Sequence, residues 1–213
     1  MRFLGLGLGL GLALIASAVL AREPLESGKF TIEGEVLVYD TVAPPEGVVE
    51  EMENADIDEL LQVLQRHPEI TTLRLNSSGG SLWAGDEMAR LVMDFELDTE
   101  VQSVCESACT TVFLGGAKRR MQRGGKIGFH RSHWSPEDIE SFYASEREEE
   151  GWRTPFEFSA WVYEDTQEEV YRDLTYMLSR GVGAEFAIRS KGYFSDMWYP
   201  TRRELREGGI LRD

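Results

Sequence analysis

The chain has 213 residues, with 38 acidic side chains against 22 basic ones and a formal net charge of −16. A field of that sign repels nucleic acid and anionic lipid, so neither is expected as a partner, and the plain reading of the acidity is solubility. Three histidines without ligand spacing and two cysteines give no zinc set, and no metal or cofactor is expected.

Met1-Arg2 supplies a minimal positive start, Phe3 to Leu20 is apolar, and Val19-Leu20-Ala21 offers small-residue cleavage geometry. This pattern predicts a signal peptide over 1–21, cut near Ala21, and a periplasmic or secreted protein. The rival reading is an uncleaved membrane anchor facing the periplasm, since the apolar run reaches the roughly 18 residues that a span needs. Residues 22–213 form one predicted domain, long enough to bury roughly 70% of its unfolded surface.

Phe30 to Tyr39 reads as an opening strand and Thr41 to Asn54 as a loop rich in Pro, Gly and Glu. A helix follows with Asp56 and Glu59 as a capping-box pair, Ile57, Leu60, Leu61 and Leu64 as its apolar face, and His67 as its C-terminal cap. Ile70 to Leu75 alternates as a strand, and Met88, Leu91, Val92 and Phe95 mark a helix. Between them, Gly79 and Gly80 allow a sharp turn that leaves amide N–H groups pointing outward. The pattern repeats: Val101 to Cys105 reads as a strand and Ala108 to Leu114 as a helix packed through Val112 and Phe113. Strand, crossover helix and strand in one sheet are parallel, so both turns face one crevice at the carboxyl edge. Downstream, His133 lies in a loop, Asp138 to Gly151 carries an exposed acidic helix end, and Trp161 to Leu178 forms a long amphipathic helix ending before Gly181.

The segments Asn76-Ser77-Ser78-Gly79-Gly80 and Ala108-Cys109-Thr110-Thr111-Val112-Phe113-Leu114 resemble the proteolytic subunit of Clp protease, within the broader crotonase-like superfamily. In that family a strand ends in Asn-Ser-Pro-Gly-Gly, and the nucleophilic serine precedes small residues and Phe-Leu. Ser78 stands in the proline's place and Cys109 in the serine's. The family's histidine ends a short strand, as His130 ends Lys126-Ile127-Gly128-Phe129-His130, and its acid precedes a short strand and helix, as Asp196 precedes Met197-Trp198-Tyr199-Pro200-Thr201. The resemblance implies an α/β, ClpP/crotonase-like fold: a mostly parallel sheet of repeated ββα and βα units flanked by helices. It also implies a hydrolase acting on a peptide or unfolded polypeptide. The region around the long helix mediates ring stacking in the family, so a homo-oligomer is implied by the resemblance alone.

A thiol at a helix N-terminus beside a histidine is thiolate-rich and nucleophilic. Cys109 is therefore the expected nucleophile, with His130 as base and Asp196 holding its tautomer. The N–H groups of Gly80 and Thr110 are the expected oxyanion hole, with His133 a reserve base. Ser107 lies two residues before the aligned nucleophile, and its side chain is expected to point elsewhere. In an oxidising compartment Cys105 and Cys109 invite a disulfide. Residues four apart on a helix hold their Cβ atoms about 5–6 Å apart, too far for one, although a turn between strand and helix can close the gap. A disulfide would favour the alternative of a non-catalytic Clp-like binding or assembly module. A crotonase-type acyl-CoA activity is the weakest class, because CoA is cytosolic.

Overall fold

The structure, a computed structural model, describes residues 23–24, 27–192 and 196–213. The predicted signal peptide lies outside the described residues. One seven-stranded sheet organises those described. Strand β1 (Glu23–Pro24) pairs antiparallel with β2 (Phe30–Glu33), and β2 with β3 (Val36–Asp40). The single opening strand expected over Phe30 to Tyr39 is thus a hairpin, reversed at Gly34, whose φ of 63° suits glycine.

From β3 onward every pairing is parallel. Helix α1 (Ala55–Arg66) leads to β4 (Thr72–Ser77), α2 (Leu82–Asp94) to β5 (Asp98–Glu106), and α3 (Ala108–Leu114) to β6 (Arg119–Met121) and β7 (Lys126–Gly128). The nine-residue β5 is shared: Thr99 to Val101 pair with β6, and Val104 to Glu106 with β7. Helix α1 packs on α2 and α2 on α3. Leu37, Leu60, Leu73, Leu75, Met88, Val101 and Phe113 from these elements join one continuous core. Beyond β7 lie α4 (Pro136–Glu146), α5 (Pro155–Ser179), α6 (Ala184–Ser190) and α7 (Arg202–Glu207). No described helix is long and apolar enough to cross a membrane.

Asn76 explains how β5 reaches so far. The register between β4 and β5 shifts between Leu75 and Ser77. At that bulge the buried Asn76 side chain donates to Asp40 Oδ2 at 2.9 Å and accepts from Ser103 Oγ and from the Val104 N–H. One amide so bridges β3 and β5 across β4 at the point where the β4–β5 ladder is interrupted.

The expected capping pair at α1 has another role. Asn54 is the N-cap and makes no side-chain cap bond. Asp56 is turned into the core instead, 1% exposed, where it accepts from Lys29 Nζ at 3.1 Å, Tyr39 Oη at 2.6 Å and the Glu53 N–H at 2.9 Å. Glu59 accepts from the Ser27 N–H. His67 does stand at the C-cap of α1, with its ring against Glu69. Lys29, also buried, completes its shell with Glu53 and the Glu51 carbonyl, and burial beside Asp56 pushes the Tyr39 phenol well above its ordinary range.

An ion pair this deep is tolerable only when complete, because a buried charge that loses its partner retains the full desolvation penalty. Asp56→Ala is therefore expected to cost roughly 3–5 kcal/mol in urea unfolding. Glu53→Ala, whose carboxylate is 46% exposed, is expected to cost less than about 1 kcal/mol by the same measurement.

Candidate active site

Three strand ends meet at the carboxyl edge of the sheet: β4 runs into Ser78-Gly79-Gly80, β5 into Ser107, and β7 into Phe129-His130. The first two turns touch. A Cβ at position 79 would lie 2.8 Å from both the Ser107 Cβ and the Glu106 carbonyl oxygen, and φ at Gly79 is +97°. Gly80 presses on the backbone of Met52 through a parallel bridge, in which Met52 donates to the Gly79 carbonyl and accepts from the Ser81 N–H. That pattern leaves the N–H of Gly80 itself facing away from Met52. Ser78 is exposed.

Ser107 is the N-cap of α3 and has φ 52° and ψ −128°, a conformation that side-chain-bearing residues seldom adopt. Its N–H donates to the Gly128 carbonyl at 3.2 Å, and its carbonyl accepts from the Thr110 N–H at 2.9 Å and from Thr110 Oγ1 at 2.7 Å. The Ser107 hydroxyl lies 2.7 Å from His130 Nε2. His130 is seated by a bridge one residue earlier: Phe129 and Trp198 exchange backbone hydrogen bonds at 2.9 and 2.8 Å. The Phe129 ring packs edge-on to Phe186 at 5.3 Å.

Burial holds the His130 imidazolium below the ordinary histidine range. Nearby His133 and Lys191 act in the same direction, while a backbone hydrogen bond at Arg131 and the charge of Glu106 oppose it. Ser107 and His130 line a cavity of about 870 Å³ whose walls include Trp83 and Asp86 of α2, Phe142 of α4 and Tyr176 of α5. Burial and the neighbouring Asp173 raise the Asp86 carboxyl.

The predicted constellation is therefore redrawn. Cys109 is fully buried and bonded to Cys105, with the two Cα atoms 5.3 Å apart, and the structure brings Ser107, not Cys109, to His130. The helical spacing that argued against the disulfide does not apply, because Cys105 is still on β5 and the chain reverses at Ser107 before α3 begins. The Thr110 N–H is occupied by the Ser107 carbonyl and is not free to bind an oxyanion. Ala108 N–H, directly after Ser107, has no acceptor among the described residues. Asp196 is exposed, and among the described residues no hydrogen bond joins it to His130. One signal in the sequence does mark Cys109 as inward-facing: it stands three and four residues before Val112 and Phe113, on their helical stripe.

No protein-family model and no curated protein sequence matches the chain. Among solved structures, a point mutant of ClpP1 from Listeria monocytogenes superposes with a TM-score of 0.52 at 16% sequence identity, over 76% of this chain and 84% of that one. The chain has the ClpP-like fold: mixed α/β, with a mostly parallel sheet and flanking helices.

The contact between the two turns has a direct test. Gly79→Ala introduces a Cβ into backbone and a strained φ, so a loss of about 1–3 kcal/mol in urea unfolding is expected. Ser78→Ala, at an exposed position, is expected to change stability by less than about 0.5 kcal/mol.

Proposed function

We propose that this protein is a serine hydrolase of peptide or ester bonds, with Ser107 as nucleophile and His130 as general base. The observation that carries the reading is the 2.7 Å contact between Ser107 Oγ and His130 Nε2 at a strained strand-to-helix turn. Ser107 Oγ attacks the substrate carbonyl as its proton passes to His130 Nε2. The tetrahedral oxyanion is met by the N–H groups of Ala108 and Gly80, each worth roughly 10²–10³ in rate. His130 then gives the proton to the leaving amine or alkoxide, and a water activated by the same imidazole releases the acyl group. Extended or unfolded chains suit the open carboxyl edge of the sheet, and the apolar run Phe3 to Leu20 supports export to the periplasm.

Among the described residues no carboxylate is hydrogen-bonded to His130, which favours a second reading: a Clp-like scaffold that binds chains without cleaving them. A fluorophosphonate probe separates the two. The hydrolase reading expects a stable adduct on the Ser107 peptide by mass spectrometry, absent in Ser107→Ala and at least about 100-fold slower in His130→Ala. No adduct on folded protein, with no ester turnover by wild type, would leave the binding scaffold, and ester turnover by Ser107→Ala equal to that of an active wild type would overturn Ser107 as nucleophile.

The pH profile follows from the His130 environment. Its folded pKa lies below the ordinary value of about 6.5, so the neutral, base-competent ring persists into mildly acidic solution and is lost as pH falls through that depressed value. The acid limb of ester hydrolysis is accordingly expected below about pH 6.5, measured from kcat/KM between pH 4 and 8 on the order of half-unit steps.

A further inference from the structure

We infer that the Cys105–Cys109 disulfide is a positioning element for Ser107, holding the serine in the conformation that points its hydroxyl at His130. The inference rests on the reading of Ser107 as nucleophile. The bridge joins the residues two before and two after Ser107. Each end of the bridge is anchored in rigid surroundings. Cys105 is paired with Ser77 on one side and Ile127 on the other, Cys109 sits on the buried stripe of α3, and both are 0% exposed.

The reversal has to fall on Ser107. Glu106 is kept extended by its pairing with Gly128, and Ala108 is already helical. Were residues 106 to 108 all extended, the Cα atoms of residues 105 and 109 would stand about 13 Å apart, against the 5.3 Å observed with the reversal at Ser107 and the helix begun at Ala108. The positive φ at Ser107 is worth about 1–3 kcal/mol of strain. The non-covalent restraints on it are one hydrogen bond at its N–H, two at its carbonyl, the hydroxyl contact with His130 and the packing against Gly79. Without the bridge, the turn can relax towards an ordinary conformation and withdraw Oγ from Nε2.

Two routes remove the bridge. One is the Cys105→Ala/Cys109→Ala double variant. The other is wild type opened in urea with dithiothreitol and refolded in its presence, where the reagent passes two electrons and two protons to the sulfurs, leaves two protein thiols and closes its own ring as a disulfide. Three quantities are followed on folded protein: fluorophosphonate labelling of Ser107, kcat and KM for a small ester, and the ¹⁵N resonance of His130 Nε2. Labelling and kcat are expected to fall roughly tenfold or more, with KM unchanged within about twofold. The Nε2 resonance is expected to move as its hydroxyl partner leaves. Reoxidation of the reduced wild type restores all three. A bridge that is only a staple lowers the unfolding midpoint and leaves labelling, kcat and the Nε2 resonance of the folded fraction at wild-type values, and that result overturns the inference.

The failure of the hydrolase reading has its own signature. If oxidised wild type is not labelled at Ser107, the Nε2 resonance alone decides the positioning role: movement on reduction supports it and no movement overturns it. Should the double variant fail to fold, the reduced wild type decides by the same readouts.

Discussion

Two neighbouring parallel strands can deliver their strand-to-helix turns to one point only if one turn gives up its side chain. Gly79 is that concession. With no Cβ, the turn after β4 lies against Glu106, Ser107 and Ala108 of the turn after β5, and two runs of backbone N–H groups share one crevice. The bulge at Asn76 is the other half of the arrangement. By taking up the register shift with its own amide, it lets β5 run on to Glu106 and pair with β7, which leads into His130. Ser107, His130 and the N–H groups around them are thus brought together by sheet register rather than by loop conformation.

The fold buries two kinds of cation and treats them differently. Lys29 is surrounded by carboxylates. Arg119, 1% exposed, has carbonyl oxygens instead: Leu114 at 3.3 Å, and Arg180 and Gly209 both at 2.9 Å. Burial, with Arg180 and Arg212 nearby, pushes its pKa down to about 10, which still leaves it charged at neutral pH. Arg180 adds its own bonds to the carbonyls of Leu114, Gly115 and Gly116. The last turn of α3, where carbonyls lack helical partners, is therefore gripped by two guanidinium groups, while Ser107 occupies its first.

Much of this was legible in the sequence. The units β4–α2 and β5–α3 announce themselves, since apolar periodicity switches from two to three or four around short glycine or small-residue turns, and the long α5 is plain from its stripe. The placement of Ser107 beside His130 was not. Aligning small residues before Phe113-Leu114 puts Cys109 in the nucleophile's place, but the positive φ at Ser107 turns that residue's own hydroxyl to His130, while Cys109, on the expected helix, faces the core. Backbone dihedrals of that kind leave no compositional mark at a serine as they do at glycine. Likewise Asp56 satisfies a capping pattern on paper, whereas the burial of Lys29, in the bend before β2 and 27 residues earlier, draws it inward. Local patterns cannot register a partner so distant.

The grip of Arg119 on residues far along the chain has a temporal side. Arg119 bonds the Gly209 carbonyl across ninety residues of sequence and exchanges backbone hydrogen bonds with Arg212. On a ribosome those partners emerge long after α3 itself. Until they arrive, the helix behind Ser107 lacks part of its C-terminal seat, and contacts of such separation form late in folding. A nascent or truncated chain would accordingly hold Ser107 and His130 without their final alignment until the C-terminal segment has been made.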